Sequence, residues 1–360
     1  MRKWIVLALI LGISIILSSP VPVKAQEEQK ESEVVFIPKQ VKTVLEKGLE
    51  NRTPRMDIPF EIFENLYLPA QQNLHTIFLF KAKNEDLGFM PPAPVQGAET
   101  GEETEAQEPP QESNLLEANL NAFLWFQQID GEYSQETYVP AELQKEREGY
   151  DPQEESVYYL GHPLPPGKYI LAMAVTSKNL EKIGTQYYEF ELPSQADFTD
   201  KLGTTPIFFV REIQKMDSVE TKVKIHEEFF TYSVLKVKPV LNNVFQQGDS
   251  LEAFFYVFGA QPNPENNKFS LTANYELYDG EELIVRYAEV TYDAPIISQP
   301  LLLKRTVLIR TKKGDKITEE RKETRDVEPG EYTFVINIKD NITGKTLEKK
   351  VDITVEGPAE

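Results

Sequence analysis

The sequence predicts an all-β protein: two tandem immunoglobulin-like or fibronectin-like antiparallel β-sandwiches in series, preceded by a short N-terminal helix. From residue 55 onward apolar residues alternate with polar ones in short runs, about seven per half, separated by Pro, Gly and Asn/Asp clusters. The chain also repeats itself. Pro166-Gly167-Lys168-Tyr169 recurs as Pro329-Gly330-Glu331-Tyr332, and the 163-residue offset holds for more than twenty residues downstream. A length of 360 residues suits two domains of about 150 residues each.

Residues 1–25 have the three-part build of a secretory signal peptide: Arg2 and Lys3, an apolar run over 4–17, and Val23 and Ala25 as small residues before a cut. The 14-residue apolar run is shorter than the roughly 18–20 residues that span a bilayer, so cleavage is expected and no integral membrane segment should remain. With no cysteine in the chain, a lipid anchor at the cut has no attachment point. Cleavage would leave 35 basic against 58 acidic side chains, net −23, a surface that repels nucleic acid and anionic lipid. The expected location is exported, periplasmic or extracellular.

Residues 26–54 are expected to hold a flexible polar leader, a short strand at Val34-Val35-Phe36-Ile37, and one helix. Val41, Val44, Leu45 and Leu49 stand at helical spacing among Lys, Gln and Glu, and the helix should end before Pro54.

The first sandwich is expected over 55–195. Leu124-Trp125-Phe126 leading to Asp130-Gly131 matches Ala273-Asn274-Tyr275 leading to Asp279-Gly280, a hairpin signal in each copy. Ile77-Phe78-Leu79-Phe80 lies similarly beside Glu252-Ala253-Phe254-Phe255. The tract 90–113, with five prolines and six glutamates, has little apolar mass to bury and reads as a disordered insertion between two strands of this sandwich. Residues 196–222 are expected to connect the two units, with a strand at 206–210 assignable to either. The second sandwich should occupy 223–357 and carry its own insertion at 305–325, a charged hairpin turning at Lys313-Gly314-Asp315.

The absence of cysteine excludes disulfides, thiolate metal sites and thiol nucleophiles. His75, His162 and His226 stand apart, with no second histidine at ligand spacing, so no metal or cofactor is expected. Asp130 with Glu132, and Asp279 with Glu281, are explained by hairpin turns, and Asp151, Glu154 and Glu155 lack a calcium-loop pattern. No nucleophile elbow, phosphate loop or dinucleotide fingerprint occurs, so no catalytic residue is assigned and the protein is expected not to be an enzyme.

Phe123 and Trp125 are the candidate ligand-binding residues. If Leu120, Ala122, Leu124 and Phe126 face the core, these two project from the opposite side of the sheet. They then form either an exposed aromatic platform for a sugar or partner, or a surface buried under the inserted loop or the second domain.

Asp57-Ile58-Pro59-Phe60, Leu66-Tyr67-Leu68-Pro69-Ala70, Leu164-Pro165-Pro166-Gly167-Lys168-Tyr169 and Val327-Glu328-Pro329-Gly330-Glu331-Tyr332 resemble the tandem β-sandwich regions of exported, acidobacterial-type proteins that accompany von Willebrand factor A-related or GWxTD domains. The resemblance implies an exported Gram-negative tandem sandwich and no particular biochemical role. The Asp-x-Ser-x-Ser metal-adhesion motif and Gly-Trp-x-Thr-Asp are both absent, so metal-dependent adhesion is not carried over.

The expected function is a non-catalytic exported binding or assembly protein of the cell envelope, contacting another envelope or secreted protein through sandwich loops or sheet edges. The first alternative is a carbohydrate-binding module using the aromatic face. The second is a hydrolase with a loop-borne site that leaves no linear motif.

Overall fold

The computed structural model describes residues 37–92, 114–313 and 316–358, with the backbone alone for 310–319. The expected signal peptide, leader and residues 34–36 lie outside the described residues, as do 93–113 of the Glu/Pro insertion and the Gly314-Asp315 turn.

Helix α1 (Lys39–Asn51) forms where the sequence pattern places it, with Val41, Leu45 and Gly48 buried. It ends at Arg52, whose left-handed φ of 51° turns the chain, and Thr53 N–H closes on the Gly48 carbonyl. Gly48 is a packing requirement: a Cβ there would occupy the position of the Tyr187 hydroxyl.

The first sandwich runs through β1 (Glu61–Ala70), β2 (Asn73–Lys83), a one-turn helix α2 (Asn84–Leu87), β3 (Leu115–Gln128), β4 (Ser134–Glu146), β5 (Glu155–Leu164), β6 (Gly167–Ser177) and β7 (Ile183–Leu192). The chain then forms β8 (Gly203–Thr204), β9 (Phe208–Lys215), β10 (Ile225–Glu227), β11 (Phe230–Tyr232), β12 (Leu235–Pro239) and β13 (Val244–Gln246). The second sandwich continues with β14 (Ser250–Phe258), β15 (Leu271–Asp279), β16 (Glu282–Arg286), β17 (Val290–Tyr292) and β18 (Ile296–Leu302). A hairpin of β19 (Lys304–Lys313) and β20 (Lys316–Asp326) precedes the closing pair β21 (Gly330–Asp340) and β22 (Thr346–Glu356).

The pairings give the all-β sandwich architecture. In the first copy the sheets are β1-β2-β5-β10 and β4-β3-β6-β7; in the second, β11-β12-β9-β14-β18 and β13-β22-β21-β15-β16. Strand β13 runs parallel to β22, and the other named pairs are antiparallel. The repeat detected in the sequence is a structural one: β6–β7 and β21–β22 are equivalent hairpins, as are β3–β4 and β15–β16. In the second copy Asp279 pairs with Glu282, leaving a two-residue loop in which Gly280 takes φ 55°.

The recurring Pro-Gly-x-Tyr closes the same corner twice. Tyr169 Oη donates to the Pro165 carbonyl at 2.9 Å, and Tyr332 Oη to the Glu328 carbonyl at 2.8 Å.

Three apolar layers lie within and between the sandwiches. One fills the first sandwich, with Phe78, Phe126, Tyr169 and Phe190 among its members. Another fills the second, around Phe209, Phe255, Tyr275 and Phe334. The third lies between the copies: Leu66, Leu68, Ile77, Leu79 and Tyr159 of the first pack on Phe208, Val210, Phe230, Val237 and Phe254 of the second. Strands β2 and β14 therefore bury both faces, which explains their near-continuous apolar runs.

The stretch 196–222 is more than a connection. Strand β9 within it pairs with β12 and β14 and so belongs to the second sandwich. Strand β10 then crosses back and adds to β5 of the first, Ile225 opposite Leu160.

Candidate interaction surface

Phe123 and Trp125 do project from the outer face of β3, while Leu120, Ala122, Leu124 and Phe126 face the core. What covers them is α1. Ile37, Val41 and Leu45 of the N-terminal segment pack on Phe123, Ala172, Ala174 and Ile183, with Trp125 and Tyr187 at the margin. Phe123 is only 4% exposed, and the described residues clustered with it come from the N-terminal segment and the first sandwich, none from the second. Trp125 is half-buried: its Nε1–H donates to Ser134 Oγ at 3.0 Å, and Lys42 Nζ sits 5.2 Å from the ring centre while pairing with Glu136. An exposed stacking platform for a sugar is not present at these residues. Fully burying Ile37, Val41 and Leu45 is worth about 1.5–3 kcal/mol each, which accounts for the docked helix.

The three histidines are structural in their contacts. His162 is 3% exposed and packs on Phe126; its Nδ1–H donates to the Pro163 carbonyl at 3.1 Å, so Nε2 accepts from Thr137 Oγ1 at 3.0 Å. Burial pushes its pKa down to about 4, and the neutral ring is retained. His75 reaches across the layer between the sandwiches, Nε2–H to the Thr231 carbonyl at 3.1 Å, and burial lowers its pKa also.

His226 contacts Glu220 at 2.7 Å, and that carboxylate accepts from Lys224 and Thr231 as well. Burial alone would raise the Glu220 pKa, but these hydrogen bonds outweigh it and hold it below the usual range. Among the described residues no nucleophile stands on the imidazole of this carboxylate–histidine contact: the Thr231 hydroxyl donates to Glu220 itself. Asp130 and Asp279 sit at hairpin turns as expected, and Asp151 also shapes a turn, accepting from Gln153 N–H. Among the described residues no three His, Asp or Glu side chains converge as a metal site.

A cleft of about 330 Å³ opens where the copies meet, lined by Pro69, Gln72, Asn73, Pro166, Gln195 and Phe258 among others. Its lining carries no charged group, and the Ser194 hydroxyl there caps a short helical turn.

The strongest departure from a plain sandwich is the β19–β20 hairpin. It forms as the alternating sequence predicts, pairing Lys304 with Asp326 at its base and Lys313 with Lys316 near its tip. Both strands pair only with each other, so each presents an unpaired outer edge among the described residues. Leu303 and Val327 anchor the base in the second core, and Arg305 pairs with Glu328. Leu302 next to that base is 60% exposed, Leu308 midway along β19 opposite Lys322 is 41% exposed, and Leu283 on β16 is 37% exposed. Strand β19 passes beside β16, which carries Leu283, and Tyr287 Oη donates to the Leu302 carbonyl.

Sequence reasoning placed this hairpin but missed the surface around it. One signal was available: residues 304–326 contain nine Lys/Arg and five Asp/Glu, net +4 in a chain of net −20. The exposed leucines carry no such mark, because exposure depends on what fails to pack against them.

No protein family model matches the chain, and no curated protein matches it. Among solved structures, similarity is found to Salmonella α2-macroglobulin reacted with methylamine, at 10% identity over 83% of this chain and 24% of that one, with a TM-score of 0.24. The native conformation of Escherichia coli α2-macroglobulin is similar at 10% identity over 82% of this chain and 16% of that one, with a TM-score of 0.14. This chain thus spans a quarter or less of those proteins. Likeness at that level carries no argument, and the fold rests on the strand pairings themselves. No helix among the described residues is long and apolar enough to cross a membrane, which says nothing about crossing by strands.

Proposed function

We propose that this chain is a non-catalytic, exported binding and assembly module of the cell envelope, and that it contacts another protein chain through the β19–β20 hairpin and the exposed leucines on and beside it. Export is supported by the signal-like residues 1–25. The observation that carries the contact site is a two-stranded projection with two unpaired edges, an excess of basic residues in an acidic chain, and exposed Leu302, Leu308 and Leu283 beside it. Unpaired edges are a hazard that proteins ordinarily shorten, cover or twist away, and these strands of 10 and 11 residues are long for an edge without a role. Extended segments dock on such edges through main-chain hydrogen bonds, with neighbouring side chains giving selectivity.

Placing a photo-crosslinking residue at Leu302, which adjoins the hairpin and lies outside 305–325, in the native envelope tests this. Discrete adducts are expected, and they should vanish when residues 305–325 are replaced by a short turn like the one that joins β5 to β6. Identical adducts with and without the hairpin would exclude it as the contact site.

A further inference from the structure

We propose that the first sandwich closes an amide crosslink within itself, joining Lys145 Nζ to the side-chain carbon Cγ of Asn84 and releasing ammonium. The bond forms once per chain, so it leaves the binding-module reading unchanged and is tested apart from it.

The groups that such a bond needs meet between the two sheets of the first sandwich. Lys145 stands on β4 of one sheet; Asn84 directly follows β2, and Ser156 and Glu227 stand on β5 and β10, all of the other sheet. Asn84 is fully buried, Ser156 is 6% exposed and the Lys145 side chain 14%. The Ser156 hydroxyl lies between the reacting groups: it accepts from Lys145 Nζ at 2.8 Å and donates to Asn84 Oδ1 at 3.1 Å. Lys145 Nζ also meets a Glu227 carboxylate oxygen at 2.5 Å, under the Phe89 ring 5.8 Å away. On its far side Asn84 Nδ2 donates to the Asp151 carbonyl at 2.7 Å and to Glu154 Oε2 at 3.3 Å.

Each contact has a role in the chemistry. A lysine in water is a poor nucleophile because it is protonated. Here little water remains to hydrate the ammonium, and the Glu227 carboxylate is in place to take its first proton. Moving Nζ from the hydroxyl onto the neighbouring carbon needs only rotations of the flexible lysine stem and no change in strand pairing. As Nζ adds to Cγ, negative charge gathers on Oδ1, where the Ser156 O–H already points. The second Nζ proton passes to Nδ2 as the Cγ–Nδ2 bond breaks, with Asp151 and Glu154 holding that nitrogen in place. The departing ammonia takes up the Glu227 proton and leaves as ammonium, so the carboxylate regains its charge and nothing is oxidised or reduced. The product ties the end of β2 to β4 across the core, in a chain that has no cysteine to do so by a disulfide.

Peptide mass mapping of the purified folded chain is the test. Trypsin has no cleavage site between Lys83 and Lys145, so an unlinked chain yields peptide 84–145. Acylation protects Lys145 from trypsin, so the linked chain yields 84–147, lighter than its sequence by one ammonia and without fragment ions from breaks between the joined residues. That linked product is expected from wild type. Lys145→Arg keeps a cation beside Glu227 but offers no nucleophilic amine, and should yield 84–145 at full mass. Glu227→Gln and Ser156→Ala should each slow closure at least about a hundredfold after refolding, with near-ultraviolet circular dichroism matching wild type.

Wild-type 84–145 at full mass overturns the proposal whatever the variants do. So does 84–147 at full mass, which is a missed cut, and so does 84–145 short of one ammonia, which marks a ring closed on the Asn84 backbone. Closure at an undiminished rate in folded Glu227→Gln also overturns it. The partner crosslinking at Leu302 bears on none of these outcomes, so the two readings fail separately.

Discussion

The same sheet face is apolar in one copy and mostly polar in the other. Looking outward from β3 and β6 are Phe123, Trp125, Ala172 and Ala174; the repeat places Thr272, Asn274, Val335 and Asn337 at the matching positions of β15 and β21. Asn274 and Asn337 face each other across the ladder and are half-buried, needing no cover. The first copy's face is apolar, and α1 is laid over it. The helix is therefore a response to one side of one sheet. It also explains why two aromatic residues that look like a binding platform in the sequence are part of the packing.

A second contrast lies in the connection after β5 and β18. The first copy turns through Pro165-Pro166 directly into β6, whereas the second spends β19 and β20 before reaching the same tyrosine corner at Tyr332. Because the corner is intact in both, the hairpin is an addition to the fold and not a distortion of it.

The mutual support of the copies can be broken most severely at the layer between them. Phe254→Ala, which removes a 2%-exposed ring packed on Phe208, should cost about 3–5 kcal/mol and split urea unfolding into two transitions. A single transition with unchanged midpoint would show that the layer does not couple them. Next is the helix: Leu45→Ala should cost about 2–4 kcal/mol in the first copy, with Trp125 emission moving to the red as α1 loosens. Unchanged fluorescence would contradict the covering role.

The pH response should also distinguish the copies. His162 has its folded pKa depressed to about 4 from 6.5, so the unfolded chain takes up a proton first as pH falls. Stability from this group is fully present above pH 6.5 and is lost progressively toward pH 4, by about 1–3 kcal/mol. His75, lowered by burial between the sandwiches, acts in the same direction. Urea midpoints measured at pH 7 and pH 5.5 should converge in His162→Gln relative to wild type; no change in the difference would remove His162 as the cause. The smallest effect belongs to the shared corner. Tyr169→Phe and Tyr332→Phe should each cost about 1 kcal/mol, Tyr169 the more because it is fully buried while Tyr332 is 8% exposed.

Much of this fold is legible in residues. The 163-residue offset marks equivalent hairpins, Asp279-Gly280 marks a tight turn, and the alternation over 305–325 marks the added hairpin. The crossing of β10 back to β5 is not legible, since Ile225-His226-Glu227 is too short to carry a period. Nor is the surface at Leu302 and Leu308, because their neighbours in sequence do not tell what stands beside them in space.

The sequence by itself determined the strands, the turns, the duplication and the amphipathic helix, because each is a local pattern of side-chain spacing on a backbone with few allowed shapes. It also holds the repeat match of Ile77-Phe78-Leu79-Phe80 with Glu252-Ala253-Phe254-Phe255. Only the tertiary structure decided what each face meets: α1 on Phe123, one sandwich on the other through Phe254 and Ile77, and solvent on Leu308. The physical reason is that apolar burial is non-directional, so a pattern tells that a face must be covered without telling by what.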